Sequence, residues 1–148
     1  MPKTNLNNLL KSLPPEDRQI VLRIVADFPE FNWRATPRFA WVSKKNTIQL
    51  GEPQPNYALL ALHELSHAIL NHKDYIQDIS RLKMERDAWN HAKTALCPRY
   101  QIPFNEDFAE TQLDSYRNWL HQKSKCPACA QTRFQDRSGA YHCPFCEK

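Results

Sequence analysis

Residues 59–72, LLALHELSHAILNH, restrict this chain more than any other stretch, because Glu64 is the one formally charged side chain in a run that otherwise reads as a buried helix. On an α-helix the side chains at i and i+4 stand one turn apart on the same face, so His63 and His67 can offer two imidazole nitrogens to a single zinc ion. Glu64 lies about 100° round the helix from His63. A carboxylate there reaches a metal-bound water without being a ligand, which is the position a general base requires. Leu62, Leu65, Ser66, Ala68 and Ile69 bring no charge that would put the segment in solvent. Burying two imidazoles and a carboxylate together without a metal would be costly.

The rest of the composition agrees with a helix-rich chain. Among 148 residues there are only two glycines against eleven prolines, with 41% hydrophobic and 24% charged residues. That is enough apolar material for one domain, or one domain with a small appendage, and too few tight-turn residues for a sandwich of short strands. The formal net charge of +4 permits an acidic partner without demanding one. The N-terminus, MPKTNLNNLLKSLPPEDR, lacks the apolar run of a signal peptide, and no stretch approaches the roughly eighteen apolar residues of a membrane span, so the expectation is a soluble, cytoplasmic protein.

Periodicity places the elements. Residues 4–12 read as a short helix. Pro14, Pro15, Glu16 and Asp17 open a second one that runs on Ile20, Val21, Ile24, Val25 and Phe28 and stops before Pro29. The period then changes, and residues 39–42 and 47–50 flank Ser43-Lys44-Lys45-Asn46 as a β-hairpin. Asn56 is the expected N-cap of the metal helix, which runs to about residue 71. Asp74 can cap a following helix over roughly 75–97, ended by Cys97-Pro98, and Asn105 caps a last helix over 105–123.

A catalytic zinc takes three protein ligands and keeps one position for water. The third ligand has four candidates: His72, Glu85, Asp87 and His91. His72 falls just past the helix end, where a surface position is expected. Glu85 is the stronger choice, because Leu82, Ala88 and Trp89 at i−3, i+3 and i+4 put it on the apolar face of its helix. Asp87 keeps more polar company, and it or Asp78 can orient a ligating imidazole instead. The competing expectation for Glu85 is a surface ion pair with Arg81 or Arg86.

These residues resemble a family. LHELSHAILNHKD followed by MERDAWNHA is similar to the ImmA/IrrE-type zinc metallo-endopeptidases, in which HELGH on one helix is followed on the next by a Glu-x-x-Ala element. That element recurs in other gluzincins, and its Glu is the third ligand. The resemblance covers roughly residues 30–97 and implies a zincin-like minimal metalloprotease fold with a small β-hairpin or sheet, in which His63, His67 and Glu85 hold zinc and Glu64 is the catalytic base. Ser66 replaces the family's usual glycine, and Trp89 stands where Asn or Asp is common. Tyr75, Tyr100, Tyr116 and His91 are all chemically able to stabilise an oxyanion.

Four of the five cysteines form two C-P-x-C pairs, Cys126/Cys129 and Cys143/Cys146, separated by thirteen residues. Strands over Thr132-Arg133-Phe134 and Ala140-Tyr141-His142, folded back at Asp136–Gly139, bring both pairs around one tetrahedral zinc. A segment of 24 residues cannot bury enough core to fold unaided, so this structural zinc supplies the folding energy. Lys123, Lys125, Arg133, Arg137 and Lys148 make the segment basic, with Phe134, Tyr141 and Phe145 available for stacking. Nucleic acid is conceivable there, but a stabilising or protein-binding module is the favoured reading.

The expected whole is therefore α+β and mostly helical, with residues 1–124 as a zincin-like metallopeptidase domain and residues 125–148 as a four-cysteine zinc ribbon. It carries one catalytic and one structural Zn2+ and acts on a protein or peptide, with a helix-turn-helix repressor as the family precedent. Two other readings stand beside it. One is an SprT-like protease acting on DNA-associated proteins, with His91 as third ligand. The other is a zinc-stabilised binding module without catalysis.

Overall fold

Each turn in the chain is made by a residue that breaks a helix or a strand at that point. A computed structural model describes residues 2–146, so Lys148, counted above among the basic ribbon residues, lies outside the described residues. The structure is α+β, about 55% helical, with two small sheets. The chain divides into two compact units, residues 1–72 with 88–104 and residues 73–87 with 105–148.

The first unit begins with α1 (Pro2–Ser12) and α2 (Pro15–Asp27). Pro15 at the first helical position sacrifices no hydrogen bond, and Glu16 and Asp17 complement the helix dipole, so the turn after Ser12 restarts the helix at once. Arg18 donates to the carbonyls of Leu10, Lys11 and Leu13, satisfying the end of α1. Leu9, Leu13, Val21, Leu50, Tyr57 and Ala61 form a buried cluster, with Leu6, Leu10, Val25, Trp33, Ala35 and Phe39 packed around it.

The expected hairpin is present as β2 (Ala40–Val42) and β3 (Thr47–Leu50), antiparallel with Trp41 opposite Ile48. A third strand, β1 (Asn32–Ala35), was not expected; it pairs parallel to β3, giving the order β1-β3-β2. Asn46, in the left-handed region, ties it there: its carbonyl accepts from Asn32 N–H and its side-chain amide donates to the Glu30 carbonyl. Ile48 and Leu50 of the central strand are fully buried.

Helix α3 (Tyr57–Ile69) packs on α2, β2 and β3. From Tyr57 to Ala68 every residue is buried except the half-buried Glu64. The expected side-chain cap by Asn56 does not form. Asn56 adopts φ 61° and turns the chain into the helix through its backbone. Tyr57 donates its hydroxyl to the Gly51 carbonyl. Helix α4 (Asp78–His91) starts four residues after Asp74, correcting the expected start. Its C-terminal end also differs, because the chain passes through a π turn (Ala92–Leu96) into α5 (Cys97–Tyr100). The wider turn lets Pro98 enter at the start of a new helical segment, where a missing N–H costs nothing, so Cys97-Pro98 does not stop the chain as expected.

The second unit contains the first turns of α4, the helix α6 (Glu106–Ser124) and a ribbon of β4 (Phe134–Gln135) and β5 (Tyr141–His142). Asn105 caps α6 as expected, its Oδ1 accepting from Phe108 N–H at 3.0 Å. The ribbon pairs Phe134 with His142 and Gln135 with Tyr141.

Candidate metal centres

Helical spacing puts His63 and His67 on one face of α3, and both are buried. Their Nε2 atoms lie 3.2 Å apart. Two nitrogens bound tetrahedrally at about 2.0–2.1 Å from zinc stand roughly 3.3 Å apart, so this pair already has the spacing of two ligands on one ion. Glu85 is buried on α4, and one ligand atom from each of His63, His67 and Glu85 lies within 4.8 Å of the others. These three residues could hold a metal ion. Arg86 pairs with Asp87 at the surface, and Arg81 lies over the rings of Tyr75, Tyr116 and Trp119, while Glu85 is buried.

Both imidazoles are held by neighbours. The ring of Trp89 stacks on that of His63, centroids 4.0 Å apart and planes 19° from parallel. His67 is held from its other nitrogen, because His67 Nδ1 lies 2.8 Å from His72 Nδ1. For Nε2 of His67 to bind a metal, its Nδ1 must carry the proton and donate it, which makes His72 the acceptor.

His72 was expected at the surface, and the end of α3 explains why it is not there. Asn71 takes φ 57°, His72 N–H donates to the His67 carbonyl and Asn71 N–H to the Ala68 carbonyl, a Schellman ending that reverses the chain. His72 is thereby brought back along the helix, and its own carbonyl accepts from Trp41 Nε1 at 2.8 Å. Asp87 and Asp78, the residues expected to orient a ligand, are engaged elsewhere: Asp87 with Arg86, Asp78 with Tyr141 and Lys123.

Ser66 does more than replace a glycine. It is fully buried, its hydroxyl donates to the Leu62 carbonyl and lies 3.1 Å from His91 Nδ1. His91 therefore serves the packing of α4 on α3, and burial holds its imidazole below the usual range. Tyr100 is likewise engaged, its hydroxyl donating to Asp27 at 2.6 Å. Cys97, outside both cysteine pairs, is buried, which pushes its thiol up to about 11.

The second centre is the cysteine cluster. Sγ of Cys126 lies 3.4 Å from that of Cys146, and Sγ of Cys129 lies 3.5 Å from that of Cys143; all four cysteines are free thiols and could hold one metal ion. Backbone N–H groups of Cys129 and Ala128 hold the Cys126 thiol down, at about 6, while its neighbour Cys146 is pushed up to about 12 by their shared hydrogen bond. Thiols gathered this closely share out negative charge unless a cation takes it.

Three of the side chains noted for recognition are engaged within the chain. Arg133 donates to the Lys123 carbonyl and lies 4.7 Å over the Tyr141 ring, and Lys123 pairs with Asp78. Phe134 and Phe145 are exposed.

No protein-family model, curated protein or solved structure matches this chain. Among the described residues, no helix is long and apolar enough to cross a membrane.

Proposed function

We propose that the chain is a zinc-dependent endopeptidase of the ImmA/IrrE-like, gluzincin kind, with a zincin-like catalytic part and a four-cysteine zinc ribbon. One observation carries this reading: two imidazoles from α3 and a carboxylate from α4, all buried, offer their ligand atoms within 4.8 Å of one another, and α3 also carries Glu64. The donor set suits zinc, being two imidazole nitrogens 3.2 Å apart and one carboxylate. Zinc held there supplies a polarised water and a Lewis-acid contact to a peptide carbonyl.

The chain's own residues do the rest. Glu64, next to a ligand and only half-buried, accepts the water proton at its carboxylate and returns it to the leaving amine. Trp89 and His72 hold the two rings, whose Nε2 atoms lie 3.2 Å apart and would bind the ion. The substrate is a protein or peptide, and the family precedent is limited cleavage of a regulatory protein such as a helix-turn-helix repressor.

Metal content and hydrolysis of a denatured reporter protein test the reading together. Wild type should carry two zinc ions per chain. Glu85→Ala should lose one, and Glu64→Gln should keep both while losing at least about 10²-fold in hydrolysis. A single zinc retained after His63→Ala would leave only the non-catalytic binding module. Release of the second ion by His91→Ala, with Glu85→Ala harmless, would transfer the site to the SprT-like reading.

A further inference from the structure

The sequence marks the cysteine ribbon as a stabilising or protein-binding module, and its side chains are spent on the first turn of α4. Asp78 opens that helix and is almost fully buried. Its Oδ2 accepts from the Tyr141 hydroxyl at 2.6 Å and pairs with Lys123 Nζ at 3.2 Å. Its backbone N–H, one of the orphan donors at a helix start, goes to Gln135 Oε1 at 2.6 Å. In return Gln77 donates to the carbonyls of Gln135 and Asp136, and Gln135 Nε2 is held by the Gly139 carbonyl. Gly139 lies so close that a Cβ would stand 3.0 Å from the Ile76 carbonyl.

Gln135 and Tyr141 face each other across the two-stranded ribbon, in the thirteen residues between the two cysteine pairs. So short a ribbon has no core of its own, and the convergence of the four thiols closes it. The clamp on residues 76–78 thus depends on the cysteine cluster.

Glu85 stands seven residues after Asp78 in the same helix. Seven residues are two turns, about 10.5 Å of rise with about 20° of rotation, so the two carboxylates share a face. Both are buried. A helix is stiff over that distance, and whatever fixes the phase of its first turn fixes where Glu85 points.

We propose that the ribbon is a metal-dependent clamp on the helix that supplies Glu85, so that an ion at the four cysteines raises the affinity of the His63/His67/Glu85 group for its own ion. This rests on the reading that His63, His67 and Glu85 bind metal. Tyr141, Gln135 and Asp78 are then positioning residues that act through Glu85, and the ribbon belongs to the enzyme's scaffold.

Cobalt(II) is the probe, added to the intact chain, because four thiolates give intense charge-transfer absorption that a site of two histidines and a glutamate lacks. Chelator competition then reads each affinity separately. The combined variant Tyr141→Phe/Gln135→Ala should keep the thiolate spectrum and lose about ten-fold at the second site, the lower end of what positioning groups contribute. Phe145→Ala, exposed in the ribbon, should change neither site. Tyr141→Phe alone, which removes one oxygen and no bulk, gives a smaller loss of the same sign and keeps the test readable if the combined variant fails to fold.

Unchanged second-site affinity in folded clamp variants would overturn the clamp. A wild type that binds one cobalt, at the thiolates alone, would overturn the metallopeptidase reading instead.

Discussion

At the scale of single residues, the geometry of the histidine pair depends on two neighbours with unlike chemistry. Trp89 restrains His63 through a ring face, and His72 restrains His67 through a hydrogen bond. His72→Phe keeps an aromatic ring and removes the acceptor. It should weaken metal binding at His63/His67/Glu85 by about 10- to 100-fold with little loss of fold, measured by chelator competition and a thermal melt. The grouping of His63 and His67 was legible because it follows from helical spacing, and that of Glu85 from the apolar company of Leu82, Ala88 and Trp89. His72 was not legible: counting along a straight helix puts it past the end, and only the left-handed turn at Asn71 brings it back. The role of Ser66 was hidden for a related reason, since its partner His91 is 25 residues away.

At the scale of elements, the helices α1, α2, α3 and α6 and the β2–β3 hairpin were readable from period and from cap residues, because local chemistry decides them. Strand β1 was not, since its alternation over Asn32-Trp33-Arg34-Ala35 lasts only four residues before Pro37, and its place comes from Asn46, further along the chain. The start of α4 escaped for the same reason: the acceptor for Asp78 N–H comes from Gln135, 57 residues away. Gly51 is a position where the hairpin and its surroundings meet without slack. A Cβ there would lie 2.8 Å from Phe39 Cδ2 and 2.9 Å from the Phe39 backbone nitrogen. Gly51→Ala should therefore destabilise the protein by about 1–3 kcal/mol, read from the shift in a denaturant midpoint.

At the scale of the whole molecule, the two compact units differ in what holds them. The first has a core of aliphatic and aromatic side chains; the second gathers ion pairs, cation–ring contacts and four thiols around few buried apolar residues. Disrupting the thiol cluster should thus act locally. In Cys143→Ser, amides of residues 125–146 and of the first turn of α4 should lose protection in hydrogen exchange, while those of α1, α2 and α3 keep theirs. The overall class, α+β and mostly helical with a cysteine cluster near the C-terminus, was legible from composition and spacing. The order of the three-stranded sheet was not, because parallel pairing leaves no mark on either strand alone.

The scarcity of glycine has a consequence for the denatured chain. Among the described residues, five that are not glycine occupy the left-handed region: Asn46, Asn56, Asn71, Gln101 and Ala130. Each bears some native strain, but a side chain at such a position also narrows the range of conformations open to the disordered polypeptide. Glycine at these sites would relieve the first, up to about 1–2 kcal/mol, and widen the second, about 0.4–1 kcal/mol in the opposite direction. The corners of this molecule are thus partly selected before folding begins.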